Sequence, residues 1–362
     1  MIYIGYTRWK EDKLFEFFDI QGIDKKFIPD VPNEPLIDVL QYLTAGHEGD
    51  IFFLEPEHFL KLYQEKSMYN NFERLARQRG WRLVMYRHTD VVTDLADAYL
   101  KNKGFLQWLN QLELTIITDG KLGSVIEASL EKCDIVDLPP YYSGVTFYFH
   151  LSTLKKHDPS KDYFCLMHDK SMRDQRPTMF KHLKEKSLLE DGICNFNKEI
   201  DLEDFENAYG VDYKKKIPDD GRRQTFPIMT YYNQTSLELV VETLGRRGDT
   251  DTFYPTEKTF KPMAMNHPFM ILAPRNHLKN IREMGFRTFG EHWDESYDQL
   301  QDLDARCEII TNNLSSLKVK SKEIYKDTKD IREHNLIHLA KLYGNYALSW
   351  WRIMTQFWKN YR

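Results

Sequence analysis

SLELVVETLGRRGDTDTFYPTEKTFKPMAMNHPFMILAP, Ser236 to Pro274, holds the fold in miniature. SLELVVETL is rich in β-branched and aliphatic residues and reads as a strand. Thr256 then stands as an N-cap before Glu257, Lys258 and Thr259, and opens a helix. HPFMILAP is a second apolar run, bounded by prolines, and reads as the next strand. The polar start of the helix raises a second question. A capped helix with surface charges accounts for it, and so does a site for a charged ligand. Open amides and the helix dipole attract anions, Lys258 and Lys261 bring cations, and the Glu257 carboxylate can accept two hydrogen bonds from a ribose diol. A nucleoside diphosphate satisfies the whole set.

The same alternation runs outward from this stretch. MIYIGY, DIFFLEP (Asp50 to Pro56), WRLVMYRH (Trp81 to His88), LTIITDG (Leu114 to Gly120) and CDIVDLPP (Cys133 to Pro140) read as strands. Amphipathic segments such as HFLKLYQEKSMYNNFERLARQRG separate them. Strand-then-helix order argues for parallel α/β sheets. The rhythm breaks at STLKKHDPSKD, Ser152 to Asp162, a polar segment with a proline that reads as a linker. It resumes with DYFCLMHD as a strand and RPTMFKHLKEKSLLEDG as a helix. From about Ile331 to Trp358, apolar residues recur at three- and four-residue spacings, as in a long buried-face helix. The expected architecture is therefore α/β, with two Rossmann-like domains facing a cleft. The domains are expected at 1–150 and 151–330, with a helix over 331–362 bridging them.

Composition narrows the classes. In 362 residues, 41% are apolar and 29% charged, enough for two cores and a soluble surface. The formal net charge of −5 argues against a general nucleic-acid coat. A local basic set (Lys214, Lys215, Lys216, Arg222, Arg223, Arg246, Arg247) leaves a nucleic-acid surface open beside a reading as solvated loops. The four cysteines are scattered with no C-x-x-C spacing, which argues against a zinc site or a disulfide framework. No signal peptide is read at the N-terminus, and no apolar run reaches a membrane-spanning length. The expected compartment is reducing and cytoplasmic.

The common phosphate-binding motifs, G-x-x-x-x-G-K-[ST] and G-x-G-x-x-G, are absent. Glu242 ends a strand opposite the helix start, where open α/β sheets bind ligands. A polar loop before the helix at Arg176 carries Lys170, Arg173 and Arg176, and arginine forks suit a diphosphate. It reads equally as a solvated basic loop. Asp249 and Asp251 form a D-x-D, a pattern that suits a hard cation but recurs by chance. It is the runner-up to a reading without metal.

YPTEKTFKPMAMNHPFMILAP with its upstream glutamate resembles the donor-binding half of glycosyltransferases of the GT-B fold, the fucosyltransferase-like group above all. The longer string through LKNIREMGFRTFGEHWDESYD is similar to glycosyltransferases of phages and large viruses. The likeness spans roughly 162–298, and over 1–150 it is one of architecture alone. Met167 and Gln175 depart from the family's Asn-like and His-like places. The resemblance implies a nucleotide-diphospho-sugar co-substrate, no tightly bound cofactor and no required metal. Donor contacts would fall to Glu257, Lys258, Thr256 and Glu242. The acceptor would be a glycan hydroxyl, with a hydroxylated base in phage DNA as the alternative. An inverting reaction needs a base on the acceptor side, and the candidates at strand ends are Asp119, His88 and Glu55. A nucleotide-binding module without catalysis is the reading from another class.

Overall fold

The computed structural model describes residues 2–5, 25–28, 49–64, 66–86, 95–96, 98–99, 102–118, 120–138, 155–167, 175–196, 229–242, 251–318 and 320–361. The chain divides into two compact units, Met1–Pro139 with Leu348–Arg362, and Pro140–Ala347. Each unit holds one parallel sheet.

The first sheet has six strands: β1 (Ile2–Gly5), β2 (Lys25–Ile28), β3 (Ile51–Leu54), β4 (Arg82–Met85), β5 (Thr115–Thr118) and β6 (Asp134–Asp137), in the spatial order β2-β1-β3-β4-β5-β6. IFFL of β3 and TIIT of β5 are buried at every residue. Burial on both faces is what a parallel sheet with helical crossovers demands. At the edge, DIVD of β6 keeps both aspartates exposed. The described crossover helices are α1 (Pro56–Gln64), α2 (Lys66–Arg79), α3 (Lys103–Leu112) and α4 (Ser124–Ser129). One amphipathic run from His58 to Gly80 thus folds as two helices. Asn102 caps α3 by accepting from the Phe105 amide at 3.3 Å.

The second sheet has four strands: β7 (Lys161–Met167), β8 (Gly192–Phe196), β9 (Thr235–Val241) and β10 (Phe269–Leu272), in the order β10-β9-β7-β8. Its helices are α5 (Gln175–Glu185), α6 (Met229–Gln234), α7 (Glu257–Ala264), α8 (His277–Glu283), α9 (Leu303–Leu317) and α10 (Ser321–Asp327). Every residue of β9 and β10 is buried. Gly192 has a local steric reason: a Cβ there would lie 2.5 Å from the Tyr163 ring, its register partner on β7.

Helix α11 runs from Lys329 to Tyr361. Leu339, Trp350, Met354, Phe357 and Trp358 are buried along it, as the apolar spacing predicts, while Ala340 is exposed. Among the described residues no helix is long and apolar enough to cross a membrane.

The segment read as a linker is packed at its described residues. The Lys155 ammonium lies 2.7 Å from His267 Nδ1 and 4.5 Å over the Tyr325 ring, and the His157 ring stacks on Tyr325 at 3.4 Å between centroids. Its polar composition serves a buried cluster at the amino ends of β7, β9 and β10 instead of a solvated tether.

Candidate functional site

Strand order marks a candidate ligand position before any side chain is considered. The chain leaves β7 to one side to form β8, then returns to the other side of β7 to form β9 and β10. The order therefore reverses between β7 and β9, and the carboxyl ends at such a reversal form a crevice with free loops above it. A pocket lies beside it, lined by Leu166 of β7, Glu238–Val241 of β9, and Lys258 and Lys261 of α7.

Glu242, one residue past β9, fixes α7 over this pocket. It is fully buried. One carboxylate oxygen accepts the amides of Thr256 and Thr259, each at 3.1 Å, and the Thr259 hydroxyl at 2.5 Å. The other accepts the Thr256 hydroxyl at 2.7 Å. Thr256 is the N-cap the sequence predicts, its oxygen accepting from the Lys258 amide at 3.2 Å. The expectation of open amides facing a phosphate is thereby corrected. Glu242 already fills the helix start, and these donors satisfy a carboxyl buried away from water. Gln175 adds a brace from α5, donating to the Glu242 carbonyl at 3.0 Å.

His277 completes the network. It lies 3.1 Å from the Thr259 hydroxyl, whose proton already goes to Glu242. The ring must therefore donate through Nε2. Burial lowers the imidazole pKa, although the Glu242 and Asp298 carboxylates oppose that shift. Asp298 in turn accepts the Leu278 and Lys279 amides at 2.8 and 3.0 Å, capping α8 from the acidic run 294–298.

Among the described residues, the charged side chains lining or flanking the pocket from α7 are on its first two turns. Glu257 and Lys258 form an ion pair at 2.6 Å, with side chains 25% and 19% exposed. Burial opposes ionisation of Glu257, but the Lys258 ammonium, its hydrogen bond and Lys261 together hold the carboxyl below its ordinary range. Lys261, one turn on, is 3.6 Å from Glu238 Oε1, both side chains being almost wholly buried. Tyr232 of α6 donates a short hydrogen bond to the other Glu238 oxygen.

The remaining predicted residues distribute as follows. Arg176 is buried in the first turn of α5. Asp251 is held bidentately by Arg275, at 2.6 and 2.5 Å. Among the described residues, no group of three or more His, Cys, Asp or Glu is arranged to hold a metal. In the first unit Glu55 is buried directly after β3, where that sheet reverses between β1 and β3, and its amide donates to His58 Nδ1 at 3.3 Å. Asp119, His88, Lys170, Arg173, Asp249 and the basic set from Lys214 to Arg247 lie outside the described residues. Sequence reasoning missed Glu238, Tyr232 and His277. One signal was present: Glu238 in β9 and Glu242 one residue past it are four apart along an extended run, a spacing that puts them on one face, and both reach α7.

No protein-family model matches the chain, and no curated protein is similar to it at a significant level.

Proposed function

We propose that the chain is a nucleotide-sugar-dependent glycosyltransferase of the two-domain GT-B type, with the donor held by the second unit. One observation carries the reading: a pocket at the strand-order reversal between β7 and β9, with Lys258 and Lys261 on its wall and Glu257 beside them. Sugar transfer leaves a nucleoside diphosphate, and negative charge grows on it as the bond breaks. Lysines held in place before the reaction stabilise that charge without reorganising. On donor binding Lys258 turns from Glu257 to the diphosphate. The freed Glu257 carboxylate accepts the ribose hydroxyls. Glu242, engaged by both threonines, acts as a positioning residue that sets the angle of α7.

The acceptor is a hydroxyl, of a glycan by default and of a modified DNA base as the alternative. Its proton goes to a base in the first unit. Glu55, His88 and Asp119 each follow a strand there, and Glu55 is the one whose position beside the β1–β3 reversal is described. The test is release of nucleoside diphosphate from a panel of nucleotide-sugars, with and without glycan and DNA acceptors. Donor-dependent release that falls steeply in Glu257→Ala and Lys258→Ala supports the reading. Binding without release identifies a nucleotide-binding module, and neither binding nor release overturns the proposal.

A further inference from the structure

Glu238 is the most conspicuous unassigned group in the second unit. It lies inside β9, with Phe164 of β7 and Phe269 of β10 as its register partners. A carboxylate placed between two phenylalanine positions of a sheet is costly unless it is paired. Among the described residues its partners are the Lys261 ammonium at 3.6 Å and the Tyr232 hydroxyl. The tyrosine contact is short and direct, the lysine contact long. Glu238 and Lys261 also line the pocket together with Lys258. The pocket thus carries its own anion, loosely held on the cation that an incoming anion would use.

We infer that Glu238 is an internal competitor for the pocket's anion: a bound dianion takes over Lys261, and Glu238 then accepts one proton and remains as a neutral acid against Tyr232. The inference rests on the proposed donor site and concerns how that site admits its diphosphate. The balance is simple. One ion pair is exchanged for another, and the proton comes from solvent and binds a Glu238 oxygen. The neutral acid donates or accepts through Tyr232, so no buried carboxylate is left without a cation.

The surroundings favour that outcome. Burial raises the Glu238 pKa, against the lowering effects of Lys261 and Tyr232, and the Glu242 carboxylate on the same strand raises it further. Once Lys261 is engaged elsewhere, the main charge opposing protonation is removed. Among the described residues, Lys155, from the segment before β7, and the buried Cys165 of β7 also feel the Glu238 charge. The Lys155 ammonium is in turn shared with His267 and the Asn266 carbonyl. By linkage, anion affinity must then fall as pH rises, because each anion bound brings a proton with it.

The experiment uses the full chain and inorganic sulfate, a dianion that does not titrate in the working range. Calorimetric titrations in buffers of different ionisation enthalpy count the protons taken up. The expected result is uptake of about one proton per sulfate in the wild type and none in Glu238→Gln. Glu238→Gln keeps an acceptor for Tyr232 and frees Lys261, so sulfate binds it roughly tenfold tighter, with little dependence on pH. The wild-type proton count stands on its own if the variant does not fold. Sulfate binding without proton uptake overturns this inference and leaves the anion pocket intact. No sulfate binding at any pH overturns both.

Discussion

Glu242 and Thr259 are joined twice over: a single carboxylate oxygen takes the threonine amide at 3.1 Å and its hydroxyl at 2.5 Å. This joint welds the end of β9 to the first turn of α7, and Glu257, Lys258 and Lys261 are carried on that helix. Glu242→Ala leaves buried amides and hydroxyls without an acceptor. We expect it to lower stability by about 3 kcal/mol, and Glu242→Gln by roughly half as much. Urea unfolding checks both. A loss under about 0.5 kcal/mol for the alanine variant would show that the joint is not structural.

The Glu257–Lys258 pair gives the opposite expectation. The side chains are only 25% and 19% exposed, and Lys258 offsets the burial of the Glu257 carboxyl. Lys258→Ala should therefore cost about 1 kcal/mol, well short of Glu242→Ala, while reducing donor turnover roughly a hundredfold. Unfolding and nucleotide-release assays on the same preparation separate the two roles. A large stability loss with unchanged turnover would reverse the assignment.

Three buried or half-buried imidazoles set the acid limit. Burial pushes His157 down to about 4, with Lys155 adding to the effect, and lowers His267 and His277 as well. Their folded values lie below the unfolded value of about 6.5, so the unfolded chain binds more protons between those limits. The stability they contribute is full above about pH 6.5 and declines as pH falls towards about 4. Thermal unfolding at stepped pH should show the second unit melting earlier below about pH 6. A midpoint independent of pH from 7.5 to 4.5 (values chosen on the order of the imidazole range) would contradict this.

The cysteines should be slow nucleophiles. Burial raises Cys133 and Cys194 to about 11 and Cys307 to about 12, and it raises Cys165 too. At pH 8 the thiolate fraction of Cys133 is on the order of a thousandth. Native protein should resist alkylation that is rapid after denaturation, as read by intact-mass spectrometry. Fast labelling of any of these four in the native state would contradict that burial.

The legible part of the fold was its interior. IFFL and FMIL are wholly apolar, and TIIT and TSLELVV largely so, because both faces of a parallel sheet are covered. The two strands that escaped notice, KKFI of β2 and GICNF of β8, are both edge strands. An edge has less to bury and often carries charge, so its pattern is blunted. At the site, the N-cap Thr256 and the strand-end position of Glu242 were both readable from spacing. What spacing cannot tell is where a carboxylate points. Glu242 turns inward to the threonines, and Glu238 reaches Lys261 across the strand–helix interface. Such pairings depend on how α7 is seated on the sheet. Lys155 and His157 read as tether residues in the sequence for the same reason: a polar run looks solvated until its neighbours are known.

The central claim, that the pocket at the β7–β9 reversal holds a donor diphosphate, is tested most directly by calorimetric titration of nucleoside diphosphates into the wild type and Lys258→Ala. The account predicts saturable binding to the wild type, weakened at least about tenfold by the substitution, a loss of roughly 1.4 kcal/mol. Equal affinity in the two proteins, or no binding by either, would contradict it.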